Sequence, residues 1–569
     1  MAIQSNFPAI KPSLVLDFQN TKQLDPRISF TRASTATFYN GVTTAMAEQN
    51  LVLYSQSLNT APWATTGLTV ATGITAPDGT STAQSLTSTT SDGYIEQYIG
   101  IVLTNTYTVS VYLKAASATT IGIGFGNQFS TVSVTTSWQR FVFTGTFSSG
   151  GARIIIGGFN TFPSSAPVVN VWGAQLEQRS AVTAYTATTT QAITNYIPVL
   201  QTAASGVARF DNNPTTGESL GLLIEESRTN LVTYSSQFDN AAWTKAASSI
   251  TSNTIVAPDG TLIGDLLIPD TSTGGNHATY NSATLTAASH TYSVYAKAFG
   301  YNFLVLKTDI AGYVEFNLST GAVSATSGAN YTSTITSVGN GWYRCTITFT
   351  GTVASYAMYN YVYNATGAPS YAGNGFSGIF LWGAQVELGA FSTSYVPTVA
   401  SQVTRAADNA SMTGTNFTSW YNFIEGALYT EASTVSSIPT SGNPTAMASI
   451  EDGTSSNRLQ NRFASLIFSP RFVANGGSLL ATTGGTAPIN TFNKAIITYK
   501  SVNASATYSS ISAGNGVIIQ STGSAFSPAS VNTLLIGNGN TSAPLNGTVK
   551  KVAYYPIAVT SAQLQALTS

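Results

Sequence analysis

Glu225 and Glu226 stand side by side in "LLIEESRTN", and Glu431, Glu451 and Asp452 follow further along the chain. Two carboxylates across a groove, about 5 to 9 Å apart, are what glycoside hydrolysis requires. Adjacent strand residues point to opposite faces, so Glu225 and Glu226 do not make that pair. Glu431, Glu451 and Asp452 stay open as a pair assembled in space. The two histidines, His277 and His290, lie in polar, turn-rich context. No Ser-His-Asp order, GxSxG elbow, HExxH, P-loop or GxGxxG occurs, and "GIGFGNQ" at Gly122 lacks the last pattern. Cys345 is the one cysteine, which rules out an internal disulfide and a cysteine metal site. In the alternating run "WYRCTITF" it reads as a buried structural thiol. Asp78 and Asp259 occupy "PDGT" turns; a turn aspartate is the plain reading, and a Ca²⁺ ligand is the other.

The remaining chemistry is aromatic. In "YAMYNYVYN", residues 356 to 364, a strand puts Tyr359, Tyr361 and Tyr363 on one face and Asn360 and Asn364 on the other. Three tyrosines in a row make an amphipathic surface for the face of a sugar ring. A subunit contact and internal packing are the competing readings. Trp420 and Tyr421, in "TSWYNF", are a second candidate pair for exposed contact.

What positions the stripe is a repeat. "NLVLYSQSLNTAPW" from Asn50 returns as "NLVTYSSQFDNAAW" from Asn230. "APDGT", "SVYLKA", "WQRFVFTGT" and "VWGAQLEQ" also recur in order, and the offset grows from 180 to 210 residues, as loop insertions in the second copy would produce. The segments between landmarks alternate with period two and are separated by turn formers, the pattern of an antiparallel sandwich or jelly roll. The matched pairs Trp63/Trp243, Trp172/Trp382 and Trp138/Trp342 read as core anchors. The first copy aligns "GARIIIGGF" with the stripe, placing Arg153, Ile155 and Gly157 against Tyr359, Tyr361 and Tyr363. A face shared for packing alone would stay apolar in both copies, and this one does not.

The chain has 569 residues with 43% hydrophobic, 11% aromatic and only 8% charged side chains. That length calls for several domains, and that composition favours strands over long helices. A net charge of −1 without basic or acidic clusters argues against nucleic acid and anionic membranes as partners. No apolar run approaches the roughly 18 residues of a membrane span. "MAIQSNFPAIKPS" has no charged or apolar leader region. The expectation is a protein made in a reducing cytoplasm with an extracellular kind of surface.

"LDFQNTKQLDPRISFTRASTATFYNG", "VARFDNNPTTGESLGLLIEESRTNL" and "WGAQLEQ…TAYTATTTQAITNYIPVLQTAA" resemble phrases of tailed-bacteriophage virion proteins, both tail fibre or tail-tip proteins and head spike fibres. The two repeats resemble jelly-roll carbohydrate-binding modules. The last part, with "VAYYP" before a short helix-like tail, is similar to concanavalin- and laminin-G-like sandwiches. The resemblance implies an all-β, multi-domain chain: an attachment segment at 1–49, jelly-roll modules at 50–190 and 230–400 joined by a connector at 191–229, and a lectin-like sandwich at 405–569. In sandwiches of that type the first and last strands pair, so "SLVLDF" is expected beside "KVAYYP". The resemblance further implies a non-catalytic virion-surface protein that contacts other virion proteins, binds a host-surface glycan and forms a homotrimer, with no required cofactor beyond an optional Ca²⁺. Head decoration through protein contacts is the alternative, and a polysaccharide depolymerase the second.

Overall fold

The computed structural model describes residues 11–569 apart from 274–275, 436–444, 455–456, 465–466, 469–470, 475–477, 482–483, 487, 502–507, 523–528 and 541–542. The chain is all-β, in tandem antiparallel sandwiches, and its three described helices run four, four and eight residues. Scarce helix formers and frequent β-branched, aromatic and glycine residues dictate this.

The first module packs two five-stranded sheets face to face. Val109, Val111 and Leu113 from Thr106–Ala115 meet Ile121, Ile123 and Phe125 from Thr119–Phe125 in one buried core. The second module repeats the plan with two six-stranded sheets. The extra residues of the second copy are therefore not only loop. They include two strands, Ala322–Ser327 and Thr332–Gly339, one added to each sheet.

The repeated "WGAQ" has a backbone cause. Gly173 and Gly383 have φ of +64° and +63°, a region that favours glycine. Each sits where the strand register slips, between Trp172 and Gln175 and opposite Ser293 to Tyr295. A Cβ on Gly383 would come within 2.9 Å of the Tyr295 ring. The bulge turns Trp172 and Trp382 outward from the sandwich cores, against Tyr185 (4.7 Å) and Tyr395 (4.6 Å). Trp63, Trp172, Trp243, Trp342 and Trp382 are buried, but Trp172 and Trp382 lie outside the central cores of the modules. A two-stranded ribbon, Ala36–Asn50 with Ile193–Ala203, covers Trp342 and Trp382 with Tyr39, Ile197 and Leu200. Phe376 of the second module covers Trp172 of the first at 5.6 Å. Trp138, the partner of Trp342 in the alignment, lacks the ribbon and stays partly exposed.

The third sandwich is assembled from three separated stretches. Leu14–Asp17 pairs with Gly547–Tyr555, Leu14 opposite Tyr554. Ser219–Ile224 joins the same strand, and Phe210–Asn212 lies beyond it. Ser29–Thr31 adds to the facing sheet. Leu14, Leu16, Phe18, Leu222 and Ile224 enter one core with Leu428, Val552 and Tyr554. Leu14–Asp17 and Ser29–Thr31 of the expected attachment segment, and Phe210–Asn212 and Ser219–Ile224 of the expected connector, are thus strands of the terminal sandwich, from which both modules loop out, while Ala36–Asn50 and Ile193–Ala203 supply the ribbon. The second module is closed at its base by a short pairing of Arg228–Asn230 with Val403–Arg405.

The junction is held by buried charge. Asp408 takes Arg32 (3.0 Å) and Arg209 (2.5 Å), and Glu225 takes Arg209 (2.8 Å) and Arg405 (3.3 Å). The Glu225 amide donates to the Asp408 carboxylate at 3.0 Å, and the Asp408 amide donates to the Glu225 carbonyl at 2.9 Å. Burial by itself would raise the Glu225 pKa; Arg405, Arg209 and two bonds from Ser394 outweigh it and bring the value down to about 2.

Candidate functional site

The strand Ala354–Tyr363 lies inside the six-stranded sheet, between Ala278–Leu285 and Phe303–Lys307. Met358, Asn360 and Val362 point inward and are fully buried; Asn360 accepts from the Tyr292 hydroxyl at 2.7 Å. Tyr359, Tyr361 and Tyr363 point to the outer face. Pairing extends the stripe beyond one strand. Tyr280 lies opposite Tyr359, with ring centroids 4.8 Å apart. Tyr359 to Tyr361 is 5.4 Å with nearly parallel rings, Tyr361 to Tyr363 is 6.5 Å, and Tyr363 to Tyr313 is 6.4 Å. Five tyrosines from three strands thus form one row, Tyr313 reaching it from Tyr313–Asn317, on the far side of Phe303–Lys307.

Lys307, Val305 and Phe303 stand opposite Tyr359, Tyr361 and Tyr363 on the neighbouring strand. Asp309 accepts from the Tyr359 hydroxyl at 3.2 Å and from the Ala357 amide at 2.8 Å. Burial and the adjacent tyrosines push the Tyr361 pKa up to about 12. Burial, then Tyr313 and Glu315, do the same for Tyr363. Both phenols stay protonated at ordinary pH and serve as hydrogen-bond donors and acceptors. Tyr359 and Tyr361 are half-buried, whereas Tyr363 is only 7% exposed. The row therefore offers ring edges and hydroxyls more than three open ring faces.

The strand partners correct the alignment of the two copies. Gln97 bonds the Leu53 backbone as Asn281 bonds that of Thr233, which makes Tyr98 and Ser282 equivalent. Arg153 lies opposite Tyr98 and Ala357 opposite Ser282. Ile155 and Gly157 therefore correspond to Tyr359 and Tyr361, two residues away from the sequence alignment, and Tyr363 falls at Phe159. The shift removes the contrast drawn from the sequence alignment, because Ile155, Gly157 and Phe159 are all apolar; the difference between the copies is instead the loss of the tyrosine hydroxyls at these three places. In the first module this face carries an Arg153–Glu96 ion pair between Tyr94 and an exposed Tyr98, with Phe159 stacked on Phe129 at 4.0 Å, and no continuous tyrosine row.

Trp420 and Tyr421 are not an exposed pair. Trp420 is 4% exposed and packs on Tyr554 at 5.0 Å, and Tyr421 packs on Tyr554 at 5.5 Å. Phe417 also lies 4.8 Å from both rings, and Ser13 donates to the Trp420 carbonyl at 2.7 Å. Asp78 and Asp259 cap their own turns, each accepting from the amide and hydroxyl of the threonine two residues on. Among the described residues no group of three or more His, Cys, Asp and Glu is placed to hold a metal ion. Glu225 is spent on the arginine junction. Glu451 accepts from Ser449 and the Asn540 amide, and Glu431 from Tyr429. Cys345 is fully buried, and burial raises its thiol pKa well above the usual range. Tyr280 and Tyr313 were missed by sequence reasoning. Each has an alternating strand as its signal, but the sequence does not say which strands become neighbours.

No protein-family model matches the chain and no curated protein matches it. Among solved structures it is similar to a CBM40 module of a Ruminococcus gnavus IT-sialidase bound to α2,3-sialyllactose, at 15% identity and a TM-score of 0.23, covering 27% of this chain and 87% of that one. A tandem CBM22 pair from Paenibacillus barcinonensis Xyn10C aligns at 12% identity and a TM-score of 0.20, over 62% of this chain and 99% of that one. At these scores the likeness carries no argument, and the sandwich fold rests on the strand pairings described above.

Proposed function

We propose that this chain is a non-catalytic adhesive protein of a phage virion surface that binds a host-surface glycan through the outer sheet face of its second module. The observation that carries the reading is the five-tyrosine row on that face and its absence from the equivalent face of the first module. Neutral phenols with an adjacent Asp309 and Lys307 suit a polyhydroxylated, uncharged or weakly charged ligand. The virion setting, contact with other virion proteins and homotrimer formation rest on the sequence phrases alone. Among the described residues no helix exceeds eight residues, so no coiled-coil stalk carries a trimer there.

Two other readings are weighed by specific residues. The cover of Tyr363 by this chain's own residues favours internal packing for that end of the row, and a head- or tail-architecture role would need Tyr359 and Tyr361 to pack against another virion protein. A depolymerase would need two free carboxylates across a groove; of the three carboxylates left open for it, Glu431 accepts from Tyr429, Glu451 from Ser449 and the Asn540 amide, and Asp452 from Thr454. The deciding experiment is binding of the purified chain to host cells and to isolated surface polysaccharide, beside a Tyr359→Ala/Tyr361→Ala variant. Binding by the parent and not by the variant supports the row as the site. Equal binding moves the site elsewhere, binding by neither favours architecture, and shortening of the polysaccharide overturns the non-catalytic reading.

A further inference from the structure

The two modules differ at one sandwich edge. In the second, Thr332–Gly339 runs antiparallel along Trp342–Thr350, Thr334 opposite Thr346 and Ile335 opposite Cys345. In the first, the strand equivalent to Trp342–Thr350 is Gln139–Thr146, since Val142 faces Ser110 as Thr346 faces Ser293. Residues 135–138 return directly into it from Gln128–Val134, and no strand is added. Gln139–Thr146 ends its sheet, with no partner on its outer side among the described residues. Val142 is 40% exposed, against 6% for Thr346.

An open edge is normally defended by lysine, proline, a bulge or an inward charge, because its free N–H and C=O groups template further pairing. This edge has none of these defences. It reads "QRFVFTGT", with no acid, lysine or proline, and pairs with Thr106–Ala115 without a register shift. Its one charge, Arg140, turns back onto its own module, donating to the Thr183 carbonyl at 2.7 Å and to Ser110 at 2.9 Å. The next edge, Gln128–Val134, also presents Phe129, 41% exposed.

We propose that the Gln139–Thr146 edge is an interaction surface that pairs with the same edge of a second copy of this chain. The strand that fills the equivalent edge in the second module is uncharged, rich in hydroxyls and antiparallel. A two-fold axis beside Gln139–Thr146 supplies a strand of that kind and that direction, and leaves both copies with a continuous sheet. Arg140 lies toward one end of the strand, so the two arginines are held apart in an antiparallel pairing centred near Val142 and Phe143.

The test uses the full chain in sedimentation velocity from about 1 to 100 µM, with amide exchange of residues 139–146 at both ends of that range. The expected result is a monomer–dimer equilibrium in which those amides exchange about ten-fold more slowly at high concentration. Val142→Lys, which places the defence of other edges here, loses the dimer. Val142→Thr, the residue of the second module, keeps it. A third variant replaces residues 135–137 with residues 318–341 to fill the edge in cis, and it stays monomeric. A monomer throughout, a trimer without dimer, or a dimer in which residues 139–146 exchange equally fast at both concentrations overturns the proposal. Loss of glycan binding in the Tyr359/Tyr361 variant leaves this result untouched.

Discussion

Replacing Asp408 by Asn removes one of two carboxylates that balance three buried guanidinium groups, those of Arg32, Arg209 and Arg405. Arg32 is left with the carbonyls of Ser34, Ala204 and Val207 and no anion. An unpaired buried charge costs about 3 to 5 kcal/mol. For a sandwich of this size that lowers the midpoint of thermal unfolding by on the order of 10 °C. Differential scanning calorimetry of the full chain reads this as a shift of the transition of the terminal sandwich, whose core is distinct from those of the two modules. Adding Arg32→Met removes the orphaned cation, so the double variant is more stable than Asp408→Asn alone, a coupling that additivity does not allow. Loss of less than about 1 kcal/mol, or a double variant no better than the sum of its parts, refutes the account. The pH dependence follows from Glu225. Its folded pKa of about 2 lies below the ordinary 4.5, so its contribution, about 3 kcal/mol, is present above pH 4.5 and disappears as pH falls toward 2.

Tyr359→Ala/Tyr361→Ala is expected to leave far-ultraviolet dichroism unchanged and to weaken glycan binding by ten-fold or more, about 1.4 kcal/mol, read by titration calorimetry. Burial raises the pKa of Asp265 to about 6; its contribution is complete below pH 3.8 and is lost as pH rises through 6. Gln84 holds the matching place in the first module, accepting from Leu58 as Asp265 accepts from Phe238. Asp265→Gln therefore stabilises the second module at pH 7 by about 1 to 2 kcal/mol and flattens its unfolding midpoint between pH 4 and 7. Gly383→Ala meets both a positive φ and the Tyr295 ring; it costs about 1 to 3 kcal/mol, seen as a lower urea midpoint for that module.

Period-two alternation and low charge made the all-β class legible, because a strand's two faces are written into consecutive residues. The duplication was legible for the same local reason, and so was the stripe Tyr359, Tyr361, Tyr363. The placing of Leu14 beside Tyr554 came from a resemblance, since no pattern within either stretch contains it. Trp420 and Tyr421 looked free because the sequence does not show that Phe417 folds onto both rings at 4.8 Å, or that Tyr554, more than 130 residues away, closes their other side. Asp408 carried no signal of its importance, since its partners Arg32 and Arg209 lie far up the chain.

The sequence by itself determined which segments become strands and which residues share a face. Only the tertiary structure decided that Tyr280 and Tyr313 complete the row, that the ribbon covers Trp342 and leaves Trp138, and that the first module keeps an open edge. Side-chain alternation is set by the geometry of each backbone residue, whereas strand neighbours are chosen by the burial and hydrogen bonding of the whole domain.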